Sequence, residues 1–417
     1  MSKGRGCFVA PLLAMTTKHK MKIAIFTNNY LPNPYGVSGS VESFRKEFER
    51  RGHKVFIFAP YWKGYLDENP RVFRYPSFDI EIKKIKYPLP VPYSQKISKI
   101  LDSLDLDVIH AQHPNLLGSA AARWARKKNI PLVFTWHTLY DRYAHFVPLV
   151  PQKLAVWWAI RSAKNYANEC DALIVPTPSV AEIIRRWGVI NKNVSAVPTG
   201  VEEDQFASPN REIIRKKYGI KDDEVLLFIM TRLTKEKNIG FLADATLEIL
   251  SDCARSSEAR KKNHLVKFMI CGDGNLKGEL LKKVEEAGLQ NKVIFVGIVP
   301  GDEKKDYYAA GDIFVYSSKS ETQGMVLTEA MYSGLPIVAV RATGVKDIVE
   351  DGKTGFLVRE DREEFGNAVQ KLISDENLRK KFGEEAKRVA RKKYTSKVCA
   401  ETLLRVYDKV IANFSQD

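Results

Sequence analysis

The sequence predicts an α/β protein made of two doubly wound domains that follow one another along the chain. Apolar runs alternate with helical segments, the alternation stops and restarts near residue 200, and 417 residues exceed what one ordinary core accommodates. Continuous apolar strands are typical of parallel sheets covered on both faces. We expect the boundary between Thr199 and Arg211, where Gly, Ser, Pro and acidic residues interrupt the pattern.

The first domain is expected to span residues 21–205. Its predicted strands are Lys22–Thr27, Lys54–Ala59, Asp107–Gln112, Pro131–Trp136, Ala172–Pro176 and Val194–Pro198. A helix is expected from near Val41 and ends before Gly52. Between Phe73 and Leu101, lysines, apolar residues and prolines are mixed. We interpret this segment as a basic apolar loop with a short helix after it, suited to a membrane interface.

The second domain is expected to span residues 206–393. Its predicted strands are Glu224–Met230, Val266–Cys271, Lys292–Val296, Ile313–Tyr316, Pro336–Val340 and Gly355–Val358. From about Glu360 the pattern is helical and charged, and residues 394–417 are expected to end the chain as a helix.

Composition excludes several classes of protein. No apolar run approaches the roughly 20 residues that span a bilayer. The five cysteines are odd in number and scattered, which argues against a disulfide framework and indicates a reducing compartment. Their spacing matches no metal-ligand pattern. The apolar stretch before Met15 resembles a short signal peptide but contains Pro11, so we predict that residues 1–20 are a disordered tail or follow an upstream start codon.

Positive charge is concentrated in the first half of the chain. Residues 1–200 hold 29 Lys and Arg against 14 Asp and Glu, whereas the remainder holds 37 against 36. This asymmetry indicates an anionic partner, either a membrane surface or nucleic acid, unless it is ordinary surface variation. No nucleic-acid-binding motif is recognisable, so we predict the membrane and no nucleic acid.

The stretch from Glu321 to Glu329 lies where a predicted strand passes into a predicted helix, the place where open α/β sheets bind ligands. Gly324 permits close approach to the backbone, and free amides at a helix start favour phosphate oxygen. Carboxylates on either side suit sugar hydroxyls. By physics alone this is a nucleotide-sugar site or, equally, one solvated glutamate before a helix and another within it.

Three other loops carry weaker signals of the same kind. Pro32–Ser40 is rich in small residues that let a backbone meet phosphate. Arg232 and Lys237 follow a strand and can hold a diphosphate as it gains charge, although most such basic loops are only solvated. Gly272 and Gly274 end the next strand and are expected to shape the same crevice.

Taken together, these motifs resemble the retaining glycosyltransferases of the GT-B fold, the family that includes sucrose synthases and bacterial lipid glycosyltransferases. The resemblance rests on the Gly-rich first loop, Trp136-His137, Arg232 to Lys237, Gly272-Asp-Gly274, and the E-x7-E pair Glu321 and Glu329. It implies two Rossmann-like domains that face a deep cleft, with a last helix that crosses back to the first domain.

The resemblance also implies roles for individual residues. Residues expected to act on the donor diphosphate or the transferred sugar are Arg232, Lys237, Glu321 and His137. Residues expected to hold the rest of the nucleotide sugar are Gly39, Ser40, Gly272, Gly274, Gly297, Val299, Gly324, Met325, Val326 and Glu329. Among these, Glu329 is expected at the ribose, and the peptide around Gly297 and Val299 at the base. The family implies retention of configuration. Asp105-Leu-Asp107 matches a metal-binding D-x-D pattern of another glycosyltransferase fold, but Asp107 opens a predicted strand, so we interpret it as a strand entrance and predict no obligatory metal.

A narrower resemblance concerns the acceptor. Residues 137–146 are similar to the H-T-x-Y-[ED]-x-Y-x-H-Y segment of bacterial diacylglycerol glucosyltransferases, with Asp141 in place of the usual Glu and Phe146 in place of the last Tyr. This implies a peripheral enzyme at the cytoplasmic face of the membrane that moves glucose from UDP-glucose to 1,2-diacylglycerol. The alternatives are a GDP-mannose enzyme acting on phosphatidylinositol, an enzyme with a soluble acceptor, a non-catalytic binding subunit and a nucleic-acid-binding protein. Donor base, sugar epimer, acceptor and oligomeric state stay open.

Overall fold

The computed structural model describes residues 19–33, 36–82, 85–143, 151–255 and 265–416. These residues form two parallel sheets covered by helices, which confirms the predicted α/β class. Most of the tail predicted for residues 1–20, together with Lys83, Lys84 and His145, lies outside the described residues.

The first sheet has seven strands in the order β3-β2-β1-β6-β7-β8-β9, and β4 pairs with β5 in a separate antiparallel hairpin. The strands are β1 Lys22–Phe26, β2 Lys54–Pro60, β3 Val72–Tyr75, β4 Ser77–Ile82, β5 Ile85–Pro90, β6 Val108–Ala111, β7 Leu132–Thr135, β8 Ala172–Val175 and β9 Val194–Ala196. The helices are α1 Val37–Arg50, α2 Gln95–Ser103, α3 Leu117–Lys128, α4 Tyr140–Tyr143, α5 Gln152–Glu169 and α6 Pro178–Arg186. Chain order reverses between β1 and β6, which makes that edge the switch point of the sheet.

The second sheet has six strands in the order β12-β11-β10-β13-β14-β15. The strands are β10 Glu224–Met230, β11 Leu265–Cys271, β12 Val293–Gly297, β13 Ile313–Tyr316, β14 Ile337–Val340 and β15 Gly355–Val358. The helices are α7 Arg211–Lys217, α8 Ile239–Arg255, α9 Lys277–Glu286, α10 Lys304–Ala310, α11 Met325–Tyr332, α12 Val345–Ile348, α13 Arg362–Ser374 and α14 Glu376–Lys393. Its switch point lies between β10 and β13.

The last helix, α15 (Ser396–Phe414), packs against the first sheet although it follows the second domain in sequence. Its apolar residues Leu403, Leu404 and Tyr407 share one buried cluster with Ile25 of β1 and Val133 of β7. The chain therefore passes between the two domains twice. The first passage, before the second domain, includes Thr199 and Val201, and the second passage, after that domain, includes Thr395. The two passages lie side by side, since Val201 bridges to Thr395.

Two local predictions were wrong. Residues 77–82 and 85–90 form the paired strands β4 and β5, not a loop, because Phe78 and Ile80 alternate with polar residues and pair with Leu89 and Tyr87 across the strands. The hairpin lies outside the main sheet, so its prolines interrupt no central ladder. Helix α1 begins at Val37 instead of near Val41, with Gly36 as its cap at a φ of 43°. Gly39 and Ser40 consequently lie inside its first turn.

Candidate active site

The loops that follow β10 and β13 meet at the switch point of the second sheet. The first of these loops contains a 3-10 helix over Lys235–Lys237, and the second contains Glu321. The Lys237 ammonium donates a hydrogen bond to Glu321 Oε1, although the two residues are 84 positions apart in sequence. Two of the predicted site residues are therefore brought together by neighbouring strands of the sheet.

Glu321 is a buried carboxylate held by three donors. Besides Lys237, the Ser318 hydroxyl donates to Oε1 at 2.6 Å and the Tyr316 hydroxyl at 2.7 Å. Burial raises the pKa of the Glu321 carboxyl, whereas the charge of Lys237 and these hydrogen bonds lower it. The lowering effects are larger together, so the pKa lies below its usual value. The group is thus a permanent anion at neutral pH.

Gly324 ends this loop and begins α11. Its φ of 79° and ψ of 66° place it in the left-handed region, where a side chain is unfavourable. No side chain caps the helix. The first amides of α11, those of Met325 and Val326, therefore start a helix whose N-terminus is suited to bind anionic oxygen.

Glu329 lies on α11 one turn further and has its own partners. Its Oε1 accepts a hydrogen bond from the Lys304 ammonium at 2.5 Å, and its Oε2 accepts one from the Tyr308 hydroxyl at 2.7 Å. Burial and the neighbouring Glu329 charge raise the pKa of Tyr308 well above its usual value, so that hydroxyl remains a donor. Lys304 also lies over the ring of Phe206 at 5.6 Å from its centroid.

The other predicted donor residues differ in what surrounds them. Arg232 is half exposed and lies 3.7 Å from Glu236. The Gly272 amide donates to the Gly297 carbonyl at 2.7 Å, which joins the ends of β11 and β12. A Cβ at Gly272 would lie 1.8 Å from the Thr231 carbonyl oxygen, and one at Gly274 would lie 2.3 Å from that of Leu233. These two glycines are therefore required by backbone packing whether or not they touch a ligand. Val299 packs against the second-domain core.

In the first domain, His137 follows β7 at the carboxyl edge of the sheet. Its Nε2 lies 2.7 Å from Oε1 of Gln112, which follows the neighbouring β6. Since an amide oxygen only accepts, this arrangement makes Nε2 the protonated nitrogen and leaves Nδ1 as an acceptor. Burial, together with the nearby His113 and His110, lowers the pKa of His137 to about 3. His137 is therefore neutral at physiological pH.

His110 connects this edge to the last helix. Its two ring nitrogens lie 2.6 Å from the Tyr407 hydroxyl of α15 and 2.6 Å from the Thr135 hydroxyl of β7. A small enclosed cavity of about 20 Å³ lies beside this network, and His137 and Ser40 also line it. That volume is enough for one water molecule.

Gly39 and Ser40 occupy different environments on α1. A Cβ at Gly39 would have no atom within 4 Å, so internal packing does not require a glycine at this position. Ser40 is buried, and its hydroxyl lies 2.6 Å from that of Thr199 in the passage between the sheets. Its side chain therefore serves an internal contact, which sequence reasoning did not anticipate.

Two structural absences concern only the described residues. Within them, no three His, Cys, Asp or Glu side chains lie in positions that could hold a metal ion together. The same part of the chain includes no helix with the length and apolar character needed to cross a membrane.

Asp105 and Asp107 both bind Lys22 at the start of β1, as expected of a strand entrance.

Sequence reasoning missed several residues that hold the predicted site. Tyr316 is the last residue of β13 and Ser318 follows it by two positions. Their place between a strand end and Glu321 could have identified them from the sequence. Lys304 and Gln112 had no local signal, because only the folded sheet brings them to Glu329 and His137. Gln323, within the motif itself, binds the backbone of Thr199 where the chain leaves the first domain.

Two family models match the chain and cover its two halves. Residues 34–205 match the model described as Glycosyltransferase Family 4, and residues 210–389 match Glycosyl transferases group 1. The second match contains Arg232, Lys237, Glu321 and Glu329.

Several curated proteins are similar over most of the chain. An alpha-monoglucosyldiacylglycerol synthase from Acholeplasma laidlawii is 30% identical over 82% of this chain and 86% of its own length. One from Streptococcus pneumoniae is 29% identical over 86% of this chain and 80% of its own. A GDP-mannose-dependent alpha-mannosyltransferase from Mycobacterium tuberculosis is 28% identical over 92% and 95%.

Solved structures share the fold. Anabaena HepE in complex with UDP and glucose has a TM-score of 0.70 at 18% identity, over 93% of this chain and all of that one. Sucrose-phosphate synthase from Thermosynechococcus elongatus has a TM-score of 0.74 at 18% identity, over 94% of this chain and all of that one. With its two parallel-sheet domains and a relative 30% identical along most of its length, the chain belongs to the group 1 glycosyltransferases of the GT-B fold.

Proposed function

We propose that this glycosyltransferase moves glucose from UDP-glucose to 1,2-diacylglycerol at a membrane surface, with retention of the anomeric configuration. The observation that carries the donor half is the buried Lys237–Glu321 pair beside the uncapped start of α11. The glucosyl and diacylglycerol assignments are supported by the two relatives named alpha-monoglucosyldiacylglycerol synthase.

In the proposed donor site, each charged group has a distinct task. The amides of Met325 and Val326 bind the diphosphate, with Arg232 and Lys237 supplying positive charge as the leaving group becomes more anionic. The donors on Glu321 all reach Oε1, so Oε2 can accept from sugar hydroxyls.

The outer part of the nucleotide is held further along the second domain. Glu329, oriented by Lys304 and Tyr308, accepts from the ribose hydroxyls. The peptide at Gly297 and Val299 contacts the base, where β12 ends.

The proposed reaction breaks the bond between the anomeric carbon and the diphosphate oxygen while the acceptor hydroxyl forms a new bond on the same face of the sugar. The acceptor proton passes to the leaving phosphate. Neutral His137 offers Nδ1 to a sugar hydroxyl, and its lack of charge avoids repulsion with a developing sugar cation. Lys237 and Arg232 provide the compensating charge, so the proposal includes no obligatory metal.

The acceptor side of the proposal rests on exposed apolar surface of the first domain. Phe78, Tyr87 and Leu89 share one face of the β4–β5 hairpin and are exposed, Phe78 by 67%. Trp157 and Trp158 on α5 are 58% and 59% exposed, which favours an interface over a core position for them. Together with the basic first half of the chain, these two groups of exposed apolar residues suit an anionic bilayer such as the inner face of the cell membrane.

A second candidate function is transfer of mannose from GDP-mannose to a lipid such as phosphatidylinositol. It is favoured by the mannosyltransferase relative, which matches 92% of this chain at an identity close to that of the glucosyl relatives. The two candidates share the fold and the charged site, and they differ at the base and the sugar.

A transfer assay with radiolabelled UDP-glucose, UDP-galactose and GDP-mannose separates the candidates. We expect label from UDP-glucose in a diacylglycerol product with an alpha linkage. The Glu321→Ala variant should reduce this turnover by roughly 100-fold or more, the scale expected when one group that stabilises the transition state electrostatically is lost. Faster turnover of GDP-mannose, or a labelled phosphatidylinositol product, would contradict the proposal.

A vesicle-binding assay tests the membrane surface separately. Phe78→Ser together with Leu89→Ser should weaken binding to anionic vesicles by about 10-fold or more, because full burial of one such side chain is worth about 1.5–3 kcal/mol. The control is Leu66→Ser, which changes an apolar residue outside the hairpin that is more exposed than either Phe78 or Leu89. Equal binding by both variants would remove the hairpin from the proposal.

A further inference from the structure

Gln323 lies between Glu321 and Gly324, inside the loop that carries the donor site. Its side chain is 4% exposed. The Thr199 amide donates to Gln323 Oε1 at 2.7 Å, and Gln323 Nε2 donates to the Thr199 carbonyl at 2.7 Å. One side chain thus binds both backbone groups of a residue 124 positions earlier, and neither end of its amide is left without a partner.

Thr199 lies where the chain leaves the first domain, just after β9. Its hydroxyl lies 2.6 Å from that of Ser40 in the first turn of α1. Gly200 has no room for a side chain, since a Cβ would lie 2.4 Å from the Ser396 amide nitrogen. The passage is therefore fixed on one side by the last helix and on the other by Gln323.

The neighbouring residue of the loop makes a second contact across the domains. The Thr177 hydroxyl, at the start of α6, donates to the Thr322 carbonyl at 2.8 Å. The loop that holds Glu321 is consequently attached to the first domain at two points. Movement of one domain relative to the other must carry this loop along or break these bonds.

We propose that Gln323 is a positioning residue for glycosyl transfer, which couples the placement of the donor loop to the angle between the two domains. It touches no reacting atom. The two domains of one chain move relative to each other about the segments that join them, unless a contact fixes those segments. Gln323 makes the position of Glu321 and Gly324 depend on how the first domain, with His137 and α1, faces the donor.

Gln323→Met tests this role, because Met has a similar length and no hydrogen-bonding amide. The matched control is Gln205→Met, the same change at an exposed residue a few positions along the same passage. We expect Gln323→Met to keep nucleotide affinity within about threefold and to lower kcat by roughly 100-fold, the scale of a 1 Å misplacement. Small-angle scattering should show a nucleotide-dependent change in radius of gyration for wild type and Gln205→Met that Gln323→Met lacks.

Gln323→Glu adds a readout that a purely structural role would not produce. A protonated carboxyl, like the amide, both accepts and donates, whereas a carboxylate repels the Thr199 carbonyl oxygen. The activity of Gln323→Glu relative to wild type should therefore rise as the pH falls from 8 to 6.

Three results would overturn the inference: a kcat of Gln323→Met within twofold of wild type, a scattering change shared by wild type and Gln323→Met, or no scattering change in wild type. The measurements use whichever of UDP and GDP binds wild type, and hydrolysis of its sugar conjugate gives kcat without a lipid. An incorrect donor or acceptor assignment would thus appear in wild type, separately from the behaviour of the variants.

Discussion

Lys237 has a structural task as well as its proposed catalytic one. It is the cation paired with buried Glu321, so Lys237→Ala leaves an uncompensated carboxylate in the interior. We expect the variant to lose about 3–5 kcal/mol of unfolding free energy, and the pKa of Glu321 to rise. Urea unfolding followed by tryptophan fluorescence measures this loss.

The matched control for that prediction is Lys235→Ala, which removes an exposed lysine from the same 3-10 helix. Its effect should stay within about 0.5 kcal/mol, as for most surface changes. The double variant Lys237→Ala with Glu321→Gln should recover part of the lost stability, because it removes the buried charge. No recovery would show that packing, and not charge, dominates the site.

His110 predicts a pH dependence of stability. Burial lowers its pKa to about 3, whereas an unfolded histidine titrates near 6.5. Below pH 6.5 the unfolded chain therefore binds a proton that the folded chain does not, and stability falls as the pH falls. The contribution of neutral His110 to the free energy of unfolding is complete above pH 6.5. It decreases by about 1.4 kcal/mol per pH unit as the pH falls from 6.5 toward the folded pKa.

The measurement compares wild type with His110→Asn between pH 5 and 6, above the usual range of carboxyl groups. The slope of unfolding free energy against pH should be smaller in the variant by about 1.4 kcal/mol per unit. His53→Asn is a useful comparison, since burial also lowers the pKa of His53, but this residue lies far in sequence from the β6–β7 edge. Identical slopes in wild type and His110→Asn would contradict the assignment of a buried neutral ring.

At the scale of elements, the ends of β10 and β11 approach so closely that two glycines are required. Gly272→Ala places a Cβ 1.8 Å from a carbonyl oxygen at a φ of 140°, which forces the β10 and β11 loops apart. We expect the free energy of unfolding to fall by at least about 2 kcal/mol. We also expect weaker nucleotide binding, because Arg232 follows Thr231 directly and would be displaced with it. Thermal unfolding and nucleotide titration measure the two effects.

Gly278→Ala is the control for this element. Gly278 lies in α9 with no atom within 4 Å of a Cβ position, so alanine should leave stability unchanged or raise it by about 0.5–1 kcal/mol. If both glycine variants behave alike, the close approach at Gly272 is not the cause of the loss.

The strands could be predicted because apolar runs such as Leu226–Ile229 are buried on both faces and need no distant information. The β4–β5 hairpin was missed because lysines and prolines outweighed the weak alternation of Phe78 and Ile80. The start of α1 was predicted too late in the sequence because Gly39 and Ser40 are poor helix formers, which the folded protein nevertheless includes in the helix.

Within the site, local sequence could locate Glu321 and Gly324 but not their distant partners. The contacts of Gln112 with His137 and of Tyr407 with His110 depend on which strands are neighbours and on where the last helix returns. These pairings are consequences of topology, which no short motif records.

At the scale of the molecule, the last helix belongs to the first domain. Leu403 is buried against the first sheet, so Leu403→Ala should destabilise that domain by about 2–5 kcal/mol. Hydrogen exchange should become faster in β1, β6 and β7 and stay unchanged in β10 and β13. The control is Arg405→Ala, an exposed change on the same helix. Equal acceleration in both sheets would mean that the two domains unfold as one unit.

The side-by-side passages at Val201 and Thr395 have a consequence for synthesis on the ribosome. The first domain emerges early but lacks its last helix until almost the whole chain has been made, whereas the second domain is continuous and complete before that. At common translation speeds of about 5–20 residues per second, the interval is roughly 10–40 seconds. During this time the face of the first sheet that includes Ile25 and Val133 is without its cover. The nascent chain is therefore expected to bind chaperones through its first domain while its second domain is already folded.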